Sequence, residues 1–302
     1  MSMDRIEPRK AGEQIPFDLR AFAHASQLIR ERFEVGPSID RLAYHNREHT
    51  EGVVRRARKI AEAMDLPARE KILVQIAASF HDTVQRWELT QKEDGAALRK
   101  RQTTTNELAS ADEAVAWMKK QADARFTNEE CAIVHAAIRV TIPVWNEVYG
   151  TVYQDALRPE SHPVVRAVAL ADIGSSGMEP SVFQKEGDWL FAEQEIDIIK
   201  AIRNAQSSED ISPEKQTQYL ERYRAWIKSQ IGFAQGRQAL FEDELGDLDE
   251  ASTDRVRHLF AHFAEGIEAA EENSKIAEKC TFEQMARRLV PTAFSAGDRE
   301  SQ

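Results

Sequence analysis

Three short stretches of the 302-residue chain carry side chains of the kind that hold divalent metals. Tyr44-His45-Asn46-Arg47-Glu48-His49-Thr50 contains two histidines. Phe80-His81-Asp82 sets a third beside an acid, and Ala171-Asp172-Ile173-Gly174 adds a second carboxylate. Imidazole nitrogen and carboxylate oxygen suit Zn, Mn, Fe, Ni or Co. Two neutral imidazoles and two carboxylates would leave positions on an octahedral ion for water and substrate.

The elements that must position these residues read as helices. Apolar residues recur at spacings of three and four, which predicts helices over 18–33, 48–64, 68–81, 105–120, 128–140 and 163–172. Further helices are expected over 190–204, 213–243, 252–276 and 281–289. Gly36-Pro37 marks a turn, Thr127 and Glu130 form a capping box, and Gly174 with Gly177 should stop the helix opened by Pro163. Residues 85–104 are polar and receive no assignment. His49 extends the stripe Val53–Ala57–Ile60, Asp172 shares a face with Val168 and Val165, and His81-Asp82 closes a helix that is apolar nearly all round. Four groups that prefer water thus sit on core-facing positions. Buried carboxylates need a cation, and neither stripe supplies a lysine or arginine. A structural polar cluster and a metal site both satisfy this pattern.

With 13 Gly and 10 Pro and no strand-period run beyond four or five residues, the expected fold class is all-α. Residues 1–230 are taken as one helical domain, 231–290 as helices packed on it and 291–302 as a loose tail. A formal charge of −11 argues against nucleic acid as a partner. No apolar run approaches the ~20 residues of a membrane span, and no signal peptide is evident at the N-terminus. Cys131 and Cys280 stand alone, as in a reducing cytoplasm.

The ordered set His49, His81-Asp82 and Asp172 resembles the H…HD…D signature of the HD superfamily of metal-dependent phosphohydrolases. Tyr44-His45-Asn46-x-x-His49 is similar to the YHNxxH motif of its small hydrolases and cyclic-nucleotide phosphodiesterases. Asn106-Glu107 with Ser110-Ala111 resembles their NE-x-x-SA stretch. The likeness covers about residues 20–200. It implies an HD-type helical bundle in which His49, His81, Asp82 and Asp172 ligate a divalent ion (Mn, Mg, Zn, Fe, Ni or Co). It implies His45 as general acid for the leaving oxygen, and Asp82 as a bridging ligand were two metals to bind; Asp82 is also expected to orient the attacking water.

The extra histidines that bind a second metal in some relatives are missing: Thr83-Val84-Gln85-Arg86 follows the doublet. One ion is therefore expected rather than two. His135, Arg47, Arg86 and Arg139 are candidate substrate contacts, chosen for their proximity to the motifs. His258 and His262 fall opposite the apolar face of their helix and are expected in solvent, while His162 reads as a loop residue. The function expected is hydrolysis of a small phosphorylated molecule, with nucleotides among the candidates. The alternatives are a non-catalytic regulatory module that binds metal or nucleotide, and a di-iron oxygenase.

Overall fold

The computed structural model describes residues 16–35, 41–91 and 96–294. The first helix, α1 (Phe17–Ile29), runs on into a π-helical turn, Arg30–Glu34. Then come α2 (Arg47–Ala63), α3 (Ala68–Phe80), strands β1 (Trp87–Gln91) and β2 (Ala97–Arg101), α4 (Thr105–Lys119) and α5 (Asn128–Arg139). A second hairpin, β3 (Val144–Asn146) and β4 (Thr151–Tyr153), leads into α6 (Pro163–Asp172), α7 (Ser175–Met178), α8 (Pro180–Gln194) and α9 (Ile196–Asn204). The long α10 (Pro213–Leu245), α11 (Glu250–Leu259), α12 (Phe263–Lys279) and α13 (Phe282–Leu289) complete an all-α fold. Both two-stranded sheets are antiparallel hairpins, with Trp87 opposite Arg101 and Val144 opposite Tyr153.

Helix α3 occupies the centre because it is apolar on most sides: Leu73, Val74, Ile76, Ala77, Ala78 and Phe80 are all buried. It packs against α1, α2, α4, α5 and α6. The N-terminus of α2 and the C-termini of α3 and α6 meet, which brings positions 49, 81, 82 and 172 to one point. Phe241, Leu245, Val256, Phe260 and Phe263, from α10 to α12, join the same core. A second core, with Phe191, Ile202, Tyr223 and Met285, lies between α8, α9, α10 and α13.

Several boundaries differ from the sequence expectation. The expected division at residue 230 falls inside α10, which continues unbroken and contributes to both cores. The polar stretch 85–104 contains the β1–β2 hairpin. The helix expected at 190–204 is two, α8 and α9, separated at Glu195, and α8 begins ten residues earlier at Pro180. The helix expected at 252–276 breaks between Leu259 and Phe263. The Gly36-Pro37 turn lies outside the described residues. So does most of the expected tail, but Ala293 is buried and Phe294 packs on Phe282 with ring centroids 6.3 Å apart. Among the described residues, no helix is long and apolar enough to cross a membrane.

The β3–β4 hairpin rests on α10 at Gly236. A Cβ there would lie 2.4 Å from the Tyr149 carbonyl oxygen and 2.7 Å from Thr151 Cγ2. Gly236→Ala should therefore shift the hairpin and cost about 1–3 kcal/mol, measured by urea denaturation.

Candidate metal centre

Asn46 caps α2, and its Oδ1 accepts from the His49 backbone N–H at 3.0 Å. The cap fixes His49 at the third helical position, facing inward and almost wholly buried. His49 Nδ1 lies 3.2 Å from Glu186 Oε1, on α8. Burial works to raise the Glu186 carboxyl, but Arg56 and His49 hold it down at about 2. Glu186 is thus an anionic acceptor, and His49 Nδ1 donates to it. His81, at the end of α3, donates from Nδ1 to the Ala78 carbonyl at 2.8 Å. In both neutral rings the proton is on Nδ1 and Nε2 carries a lone pair.

Those two Nε2 atoms point at the same place. His49 Nε2 is 3.4 Å from Asp82 Oδ2 and 4.0 Å from Asp172 Oδ1. His81 Nε2 is 2.9 Å and 3.5 Å from the same two oxygens. Both Nε2 atoms are buried, and neither has an aligned hydrogen-bond partner. His49, His81 and Asp82 can each offer a ligand atom within 4.8 Å of the others. Asp172 stands outside that group of three, but its Oδ1 faces the same two Nε2 atoms, which makes it the candidate fourth ligand; its side chain is 14 % exposed. Orphaned imidazole lone pairs facing carboxylate oxygens are what a divalent cation would satisfy. The residues fit such an ion.

The electrostatics agree. Burial alone would lower the His49 pKa, yet the neighbouring Asp82 and Glu186 carboxylates raise it to about 9. His81 is likewise raised: Asp82 outweighs the effect of burial. Asp82 is held well below the usual carboxylate range, its burial opposed chiefly by His81. Asp172 is raised by burial. The cluster therefore favours positive charge, and a metal ion there would compete with protons.

Asp82 has a basic partner that the helical pattern does not reveal. Its Oδ1 accepts from Gln85 Nε2 at 2.8 Å and Arg101 Nη2 at 3.2 Å, leaving Oδ2 toward the imidazoles. Arg101 comes from β2, in the stretch without a predicted element, and also pairs with Glu107 Oε1 at 2.9 Å. The NE-x-x-SA residues therefore brace this corner. Asn106 Oδ1 accepts from Arg86 N, Glu107 holds Arg101, and Ser110 Oγ accepts from Val84 N at 3.0 Å. The far oxygen of Asp172, Oδ2, accepts from Gln154 Nε2 at 3.3 Å.

His45 is not on α2, because the helix begins at Arg47. Glu193 of α8 holds it instead: Oε1 lies 2.5 Å from His45 Nδ1, and Oε2 accepts from the Tyr44 and His45 backbone N–H groups. Tyr44 stacks beside His49, with ring centroids 4.3 Å apart. Burial, then Glu186, Asp172 and Asp82, push its phenol well above the usual range, so it is a proton-bearing donor at the site.

The expected substrate contacts His135, Arg47, Arg86 and Arg139 have exposed or half-exposed side chains. His135 is one residue past the buried Val134 and so turns outward, 3.6 Å from Asp112. Arg47 pairs with Glu51 on the exposed face of α2. Arg86 and Arg139 have exposed side chains, and Arg139 lines a separate surface cleft with Arg158 and His162. His258 is exposed, His262 pairs with Glu265, and His162 caps α6 by accepting from Val164 N.

No family model, curated protein or solved structure matches this chain. The donor set and its surroundings are the basis for a functional reading. The carboxylates behind the imidazoles would set how firmly an ion is held. Glu186→Gln keeps the shape of the side chain but removes the charge that fixes His49, and metal affinity should fall about 10–100-fold in a competition titration.

Proposed function

We propose that this protein is a divalent-metal-dependent phosphohydrolase of the HD type, cleaving a phosphoester of a small molecule by attack of water. The observation that carries the reading is the pair of buried Nε2 atoms of His49 and His81, neither with an aligned hydrogen bond, facing Asp82 Oδ2 and Asp172 Oδ1. The ordered motif residues, with no histidine in Thr83-Val84-Gln85-Arg86 after the doublet, favour one ion. The two cysteines form no disulfide, in keeping with a cytoplasmic setting.

A divalent ion in this donor set supplies a Lewis acid for a phosphoryl oxygen and lowers the pKa of water toward ~7. The chain supplies the rest. Asp82, tethered by Gln85 and Arg101, accepts a hydrogen bond from the attacking water and orients it. Arg101 and Arg99 line a narrow cleft of about 30 Å³ together with Gln85, His45 and Glu193, and their charge would draw the charged end of the ester toward its mouth. His45, oriented through Nδ1 by Glu193, presents Nε2 to the leaving oxygen as a proton donor.

The test is a screen of phosphoesters with the purified protein under several added divalent metals. Turnover that needs metal and is lost in His81→Ala is the expected result. Metal binding without turnover of any ester would instead make the protein a regulatory module.

A further inference from the structure

A second, larger cavity of about 330 Å³ has Asp172 and Glu186 among its lining residues, which sets it beside the candidate metal centre. Its walls are mainly apolar, with rings from Tyr44, Trp145, Phe183, Trp226 and Phe233. The rings are held in place by their surroundings. Phe183 and Phe233 stack with centroids 5.7 Å apart, and Trp226 donates its indole N–H to the Gly187 carbonyl at 2.9 Å. Trp145 stands on the β3–β4 hairpin, still 57 % exposed, and forms the outer wall.

Charge is segregated between the two cavities. The large one has no lysine or arginine among its described lining residues, whereas the small one has Arg99 and Arg101 beside His45. Leu190 and Gln194 of α8 border both. A substrate spanning them must be charged at one end and apolar at the other. A nucleoside fits less well than an apolar ring, since much of its ribose and base would lose hydration against ring faces, with Ser175, Gln194, Ser229 and Gln230 the uncharged amide and hydroxyl side chains there besides Tyr44.

We propose that the large cavity takes the leaving group, and that this group is an uncharged apolar alcohol carrying a ring. The enzyme would then select phosphomonoesters of such alcohols over nucleotides and sugar phosphates. This rests on the phosphohydrolase reading of the metal centre. In the reaction the water oxygen bonds to phosphorus and the bond from phosphorus to the alcohol oxygen breaks with its electron pair. His45 delivers a proton to that oxygen, and the proton released by water restores His45. The products are the alcohol and inorganic phosphate.

Three primary-alcohol esters of similar intrinsic reactivity provide the test: naphthylethyl phosphate, glycerol phosphate and adenosine monophosphate. The expected kcat/KM for the first exceeds the other two by about tenfold or more. Trp145→Ala should narrow that preference at least about fivefold, mainly through KM, and Trp145→Phe should restore most of it. Calorimetry of the chelator-treated protein should also show saturable binding of naphthylethanol, with Kd below about 1 mM and weakened by Trp145→Ala. Equal turnover of the three esters would overturn the leaving-group assignment and leave the hydrolase reading standing. Alcohol binding with no ester hydrolysed under any metal would overturn both. Failure of the alcohol to bind, or selectivity unmoved by Trp145→Ala, would also overturn the assignment.

Discussion

Asp172→Ala should release the metal: affinity is expected to fall by more than about a hundredfold, and activity at limiting metal should fall with it. Outer partners of a metal ligand are typically worth about 10–100-fold, so a direct ligand should exceed that range. The physical basis is local. Asp172 ends α6 with Oδ1 facing two imidazole nitrogens, and Gln154 satisfies only its other oxygen. Its neighbour Ala171 is anchored through its carbonyl by Arg56 Nε at 2.8 Å, so the helix end should persist in the variant. Metal content measured by mass spectrometry after dialysis, beside a thermal melt, separates loss of a ligand from loss of the fold. Full metal occupancy in a folded variant would remove Asp172 from the ligand set.

His45→Ala should keep the metal and lose rate by about 10²–10⁴-fold on an unactivated ester. His45 lies outside the ligand group, with ring centroid 6.2 Å from that of His49, and its Nδ1 is engaged by Glu193. The loss should shrink markedly on a nitrophenyl ester, whose leaving group needs little protonation. Equal losses on the two esters, with metal retained, would reduce His45 to a positioning residue. Loss of the metal would make it a ligand.

The inner residues of this site are readable in the sequence because their signals are local. Helical spacing places His49 and Asp172 on apolar stripes, and the His81-Asp82 doublet ends a helix that can only be central. The supports are harder to see. Helix α8 buries Glu186 and Glu193 along with Phe183, Gly187 and Phe191. Two acids and a glycine on the buried face erase the apolar period on which a helix assignment depends. Those acids face inward because His49, Arg56 and His45 meet them there, a reason that lies in tertiary structure. Arg101 is hidden for a similar reason. It lies on a short hairpin whose strand pattern is masked by charge, and its partners Asp82, Gln85 and Glu107 are 19, 16 and 6 positions away along the chain. Asp82, just past the end of α3, thus finds no basic partner on that helix and gains one from the hairpin. Arg47, Arg86 and Arg139 show the converse, since closeness to a motif in sequence says nothing about the face a side chain takes.

That two imidazoles and two carboxylates hold a single catalytic ion is tested most directly by titration. Protein stripped with a chelator is given increasing amounts of the metal that best supports turnover, and phosphoester hydrolysis is followed against bound metal at each step. The expected result is no activity in the stripped protein and a linear rise that ends at one equivalent, with His81→Ala flat throughout. Hydrolysis by the stripped protein, or activity that does not track occupancy of this site, would contradict it.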